Sequence, residues 1–175
     1  MNDLGRRIRR GAMALLLTAA CVVGLATTVS APAQAADGCS GSRIEHIPMY
    51  DDVYGDLRAY LDVYYDSSTG NNCAVTVATG PNSYGILKGM YVVLVKCSQT
   101  TPSKTSCTNI GSKRDPATAG TYGRYYYYAG PVTVYSPNNC IFAEGAVESW
   151  YPTTTNTTHS YGSTRVSTGY QASHC

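Results

Sequence analysis

Charged residues are scarce in this chain: Asp, Glu, Lys and Arg account for 14% of its 175 residues. Tryptophan is nearly absent, with Trp150 alone, which weakens any case for an indole stacking platform. No two cysteines stand in a C-x-x-C pair, so the spacing of a structural zinc site is missing. No G-x-S-x-G elbow occurs, and no serine sits in a recognisable nucleophile setting. Histidine is limited to His46, His159 and His174. No stretch carries the 3.6-residue apolar period with credible caps that a surface helix needs. These absences point away from a helical enzyme or a metal centre and toward a binding or structural β protein.

The first 35 residues are read apart from the fold. Arg6, Arg7, Arg9 and Arg10 form a basic start, Gly11 to Val29 is largely apolar, and Ala33-Gln34-Ala35 fits a small-x-small cleavage site. That is the pattern of a secretory signal peptide, releasing a chain that begins at Ala36. The whole chain has 13 basic and 11 acidic residues; without the four arginines and Asp3, 9 and 10 remain. The basic balance therefore belongs to the leader. No segment of the remainder combines a basic run with interleaved aromatics, which excludes nucleic acid as the expected partner.

What is abundant is tyrosine, sixteen in all, with glycine, threonine and serine. Residues 36–175 are expected to form one β domain, with 149–175 as a Thr/Ser-rich C-terminal extension. The central signal is Arg124 to Phe142, RYYYYAGPVTVYSPNNCIF. Successive strand side chains point to opposite faces, so Tyr125 and Tyr127 are expected on one face and Tyr126 and Tyr128 on the other. Gly130-Pro131 predicts a bulge or a change of sheet, and Ser136 to Asn139 has turn chemistry. Upstream, Leu57, Ala59, Leu61 and Val63 alternate with Arg58, Tyr60, Asp62 and Tyr64, a half-buried strand. Cys73 to Thr79 alternates again and makes a hairpin with it. Arg43 to Pro48 reads as a first strand, and Met90 to Lys96 as a central strand buried on both faces. Gly111 to Gly123 is expected to loop, with Lys113 to Pro116 at its exposed tip. Around Thr164-Arg165-Val166 the sequence allows an edge strand or a tail pinned by Cys175.

Six cysteines follow the leader, and an even number in a small exported chain implies three disulfides. Cys97 and Cys107 close a short loop and are expected to pair. Cys73 and Cys140 each open a strand and are expected to join, leaving Cys39 with Cys175. Each bridge stabilises by about 2–4 kcal/mol, mostly by restricting the unfolded chain.

Candidate chemistry is thin. Asp51, Asp52 and Asp56 do not match a calcium loop and read as a solvated, charged turn. Glu144 and Glu148 share a strand face but stand about 13 Å apart, too far for a glycosidase pair. Asn156-Thr157-Thr158 fits a glycosylation sequon. The best ligand-binding candidates are aromatic: Tyr125, Tyr127, Tyr135 and Trp150, as a platform for a sugar or polymer.

Two motifs carry a family resemblance. Tyr127-Tyr128-Ala129-Gly130-Pro131-Val132 with Val134-Tyr135 and Cys140 is one; Tyr64-Tyr65-Asp66-Ser67-Ser68 with Asn72-Cys73-Ala74-Val75-Thr76 is the other. Over Leu57 to Val147 the chain resembles the spore-associated protein A group of secreted actinobacterial proteins. It departs from that group at Phe142-Ala143-Glu144-Gly145, in the Cys97–Cys107 insert and in the Thr-rich C-terminus. The resemblance implies export and association with spores or aerial hyphae, and supplies no catalytic residues. The expectation is an antiparallel β-sandwich or partly closed barrel with three disulfides, monomeric, without cofactor, metal or enzymatic role. It is expected outside the cell or on a cell or spore surface, as a structural or interaction protein, with two alternatives: a carbohydrate-binding module meeting a surface polymer, or an inhibitor or toxin-complex adaptor meeting a secreted protein.

Overall fold

The computed structural model describes residues 38–152 and 159–175. The leader and cleavage site expected over the first 35 residues, and the sequon at Asn156, lie outside the described residues. Among these residues there is no helix. Nine strands are described: β1 Ser42–Tyr50, β2 Leu57–Asp66, β3 Asn71–Ala78, β4 Lys88–Cys97, β5 Asn109–Asp115, β6 Gly123–Tyr125, β7 Tyr128–Tyr135, β8 Ile141–Pro152 and β9 His159–Ser167. They form two antiparallel sheets, not closed into a barrel, in the orders β1-β2-β3-β7 and β5-β4-β8-β9. The short β6 pairs with Lys88–Met90 of β4, end to end with β5, which covers Val92–Cys97.

The alternation read in β2 decides which side faces the core. Ala59, Leu61 and Val63 are fully buried against Met90, Val92 and Leu94 of the other sheet. Two-residue periodicity puts Tyr60, Asp62 and Tyr64 on the outer face. One buried hydrogen bond crosses the core, from Thr76 Oγ1 to the Tyr91 carbonyl at 2.9 Å. Gly145 faces this point. A Cβ there would collide with Thr76 Oγ1 and lie 2.9 Å from Met49 Cε, so no larger residue fits without moving the core. β4 is an interior strand of its sheet, between β5 and β8, but it is not buried on both faces as its apolar run suggests: Met90, Val92 and Leu94 are buried in the core and Val93 and Val95 on the other face are half-buried.

Three further expectations change. The four tyrosines are not one strand: Tyr125 ends β6 in one sheet, Tyr126 and Tyr127 bend, and Tyr128 begins β7 in the other. Tyr125 and Tyr127 therefore do not share a face. The change of sheet falls at that bend, and Gly130-Pro131 is the bulge, where Ala74 pairs with Val132 and Thr76 with Ala129. Of the loop expected over Gly111 to Gly123 with its tip at Lys113 to Pro116, Gly111 to Asp115 belong to strand β5. Asp115 is tied in by Gly130 N–H, which donates to its Oδ2 at 2.6 Å, and by the Tyr125 hydroxyl, which donates to Oδ1. A polar, glycine-containing strand exposed along most of its length gives no alternating signal.

The third correction is the sulfur framework. Cys97 pairs with Cys107 as expected, but Cys39 pairs with Cys73 and Cys140 with Cys175. Opening a strand does not say which face a thiol takes. Cys73 belongs to a small cluster with Cys39, Tyr64 and Val75, on the outer face of the first sheet. Cys140 instead packs with Cys97 and Ala172, where Ser173 pairs with Ile141 and returns the C-terminus to β8. The C-terminal stretch also supplies the edge strand β9 in place of a tail.

Candidate binding site at the disulfide-free end

The hairpins sort the molecule into two ends. The cysteines of all three bridges lie toward the end of β4 marked by Cys97 and the start of β3 marked by Cys73. The other end carries the β1–β2 turn, the β3–β4 loop and the β6–β7 bend. Among the described residues, twelve large apolar or tyrosine side chains are exposed. Nine belong to the second end: Tyr50, Val53, Tyr54, Tyr84, Ile86, Leu87, Tyr126, Tyr127 and Tyr128.

No disulfide orders these loops; two buried cations do. Arg58, 4% exposed, donates from Nε to Asp51 Oδ2 at 2.8 Å and from Nη1 to the Asn82 carbonyl at 2.9 Å, and its Nη2 lies 3.5 Å from Asp56 Oδ2. It thereby joins the β1–β2 turn to the β3–β4 loop. Asp51 is not the solvated residue its sequence context suggests. It is 3% exposed, and its Oδ1 accepts from the N–H groups of Val53 (3.0 Å) and Tyr54 (2.6 Å), closing the turn. Burial pushes its carboxyl up, but the hydrogen bonds from Tyr54, Arg58 and Val53 and the Arg58 charge outweigh this and hold it below the usual carboxylate range. Lys88 is the second staple. Its Nζ donates to the carbonyls of Ile86 (2.7 Å) and Tyr126 (3.1 Å), joining the β3–β4 loop to the bend. The Gly85 N–H to Tyr126 carbonyl and the Ala78 N–H to Tyr127 carbonyl bonds complete the corner.

On this frame Tyr84 and Tyr127 meet with ring centroids 5.0 Å apart, and Tyr126 stands 6.3 Å from Tyr127. These three rings are 62%, 49% and 52% exposed. Beside them is a groove of about 270 Å³ lined by Asn82, Ile86, Leu87, Lys88, Arg124, Glu148 and Ser149. Glu148 folds over β4, where Gly89 N–H donates to Oε2 at 3.0 Å and Arg124 Nη1 lies 3.5 Å away. Gly89 is required for that approach, since a Cβ would overlap the Glu148 carboxylate.

The four predicted ligand-binding residues are not brought together. Tyr127 is in the corner. Tyr125 packs against the core, and burial and the Asp115 carboxylate raise the pKa of its hydroxyl. Tyr135 is exposed but at the far end of β7, under the Lys96 ammonium. Trp150 lies in β8, and its side chain is outside the described residues. Tyr84, Tyr126, Ile86 and Leu87 were missed. The one available signal was an aromatic and two aliphatic residues inside a Gly-Pro-Asn-Ser loop.

Other sequence candidates have different partners. His46 stacks on Tyr60 at 3.8 Å and its Nδ1 contacts Asp62, while His174 Nε2 meets Glu45 at 2.6 Å. Neither imidazole is hydrogen-bonded to a serine hydroxyl among the described residues; the His159 side chain lies outside them. Glu144 accepts from the Tyr91 hydroxyl at 2.7 Å and pairs with Arg165 at 2.9 Å, so both glutamates of the outer β8 face are engaged by arginines. No group of three or more His, Cys, Asp or Glu suited to a metal ion occurs among the described residues.

The fold and corner define a disulfide-stapled β-sandwich that presents a preformed aromatic surface. No family model matches the chain, and comparison with curated proteins and with solved structures returns no match.

Proposed function

We propose that this protein is an exported, non-enzymatic binding domain that docks on a carbohydrate polymer of the cell or spore envelope through the corner of Tyr84, Tyr126 and Tyr127. The carrying observation is that cluster of half-exposed rings, held by backbone bonds at a disulfide-free end. Clustered exposed aromatics mark interaction surfaces, and tyrosine offers an apolar face to sugar C–H groups with a hydroxyl for their oxygens. Three disulfides suit an oxidising, extracellular setting. Association with spores or aerial hyphae comes from the resemblance to the spore-associated protein A group.

The test is retention of the secreted protein on insoluble chitin, peptidoglycan and purified envelope polysaccharide. The wild type is expected to sediment with at least one polymer, and Tyr126→Ala/Tyr127→Ala to stay in the supernatant. Equal retention of both forms defeats the reading. A second reading, docking of a secreted protein by strand addition, has one observation in its favour. β5 is an edge strand with Ile110 exposed. It predicts a stable complex in culture supernatant, and a protein recovered alone at every concentration counts against it.

A further inference from the structure

Every described arginine but one, Arg114, which stacks on Tyr91, has a carboxylate within 4.0 Å, and Lys88 has none among the described residues. Yet Lys88 is 7% exposed, the one buried lysine among the described residues. A buried charge is costly unless it is paired. An ammonium has three donors, and only two are used, on the Ile86 and Tyr126 carbonyls. The same groove holds a second unmet group. Ser149 is 2% exposed and its hydroxyl has no hydrogen-bond partner. Buried hydroxyls in this state are rare and call for an explanation.

The other charges in the groove are Arg124 and Glu148. Glu148 is already engaged by Gly89 N–H and Arg124. Two cations against one carboxylate leave the groove one positive charge in excess. Its volume, about 270 Å³, suits a single sugar ring with its substituent.

We propose that this groove is a carboxylate-binding subsite, so that the polymer docked on the aromatic corner is an acidic glycan bearing uronate-type groups. The assignment rests on the glycan-binding reading above. The rings stack on the chain, the third Lys88 donor takes one carboxylate oxygen, the Ser149 hydroxyl, closed to solvent as the side chain stands, turns about χ1 to meet the other, and Arg124, 59% exposed at its side chain, closes from the rim. A single excess charge matches a monoanion better than a phosphate dianion. Burial lowers the Lys88 pKa to about 8, so the ammonium persists near neutral pH, and an incoming carboxylate relieves the strain of its desolvation.

The experiment is calorimetric titration of the secreted protein with a neutral oligoglucoside and with its glucuronate counterpart of equal length. The acidic chain is expected to bind roughly tenfold tighter, the scale of one charge-assisted hydrogen bond. Lys88→Gln removes the charge and is expected to abolish the preference for the acidic chain, and because it also shortens the staple on the Ile86 and Tyr126 carbonyls, its affinity for the neutral chain is measured alongside. Ser149→Ala, which leaves the loop staple intact, is expected to reduce the preference several-fold. Equal affinity for the two chains overturns the subsite alone. Failure of both chains to bind overturns it together with the glycan reading. Displacement of the glucuronate by millimolar inorganic phosphate, or a preference unchanged in both variants, also overturns the carboxylate assignment.

Discussion

The two ends of this sandwich are ordered by different chemistry. At the cysteine end, three disulfides fix the segment before β1, the C-terminal segment and the 98–106 loop, and few large apolar side chains of the described residues reach solvent. At the aromatic end no sulfur link occurs among the described residues, and Arg58 and Lys88 tie three loops together through carbonyls and carboxylates. Covalent bridges restrict the unfolded chain. Buried cations act in the folded state, and they leave the loop surfaces free to display rings. The difference separates holding the domain together from presenting a surface.

The largest effect should come from breaking the cation staple. Arg58→Met leaves the Asp51 carboxylate buried without its partner, and loss of one member of such a pair costs about 3–5 kcal/mol. Urea denaturation of the purified, disulfide-bonded protein measures it. A loss comparable to that of an exposed residue would mean the aromatic end does not depend on Arg58.

The disulfides should come next, in order of the loops they close. The chain-entropy relation gives about 4 kcal/mol for Cys140–Cys175 or Cys39–Cys73 and about 3 kcal/mol for Cys97–Cys107, following separations of 35, 34 and 10 residues. Double serine variants, unfolded in urea, rank them. Equal losses would remove the entropic account of the cysteine end.

Titration sharpens the contrast further. The native pKa of Asp51 is lowered, so its stabilisation is present above the unfolded carboxyl value and is lost as pH falls through the native one. Asp51→Asn should flatten that acid limb. Lys88 is also lowered, to about 8, but as a cation this reverses the sign. Between pH 8 and the unfolded lysine value the unfolded chain binds more protons, so stability should rise with pH. The expected gain is roughly 1 kcal/mol from pH 8 to pH 9. Lys88→Gln should lose that rise, whereas a rise that persists would assign it to another group.

How much of this was legible in the sequence follows from which forces act locally. The alternation in β2 and the apolar run of β4 place both strands, but not their burial: Arg58, Asp62 and Tyr64 on the expected wet face of β2 are buried by long-range partners, while Val93 and Val95 of β4, expected buried on both faces, are half-exposed. The Cys97–Cys107 link joins neighbours in sequence and was readable for that reason. The Cys39–Cys73 and Cys140–Cys175 links depend on where the termini cross the sheets, which no local pattern encodes. The tyrosine run misled because tyrosine is compatible with either face and with a bend. Its split at Tyr126-Tyr127 is set by Asp115, Lys88 and Gly130, residues distant from it or silent in a periodicity. Tyr127 was found because it belongs to the run. Tyr84 was not, because its partner arrives from a separate loop.

The smallest expected change in stability accompanies the largest expected change in binding. Tyr84→Ala/Tyr126→Ala/Tyr127→Ala removes exposed rings, and each such surface change should shift stability by no more than about 0.5 kcal/mol. Tyr135→Ala/Tyr170→Ala removes two exposed rings at the cysteine end and serves as the matched control. Sedimentation of both variants with envelope polysaccharide tests the account most directly. The triple variant should lose retention while the double variant binds like the wild type. Retention of the triple variant, or equal loss in both, would contradict the assignment of the disulfide-free end as the docking face.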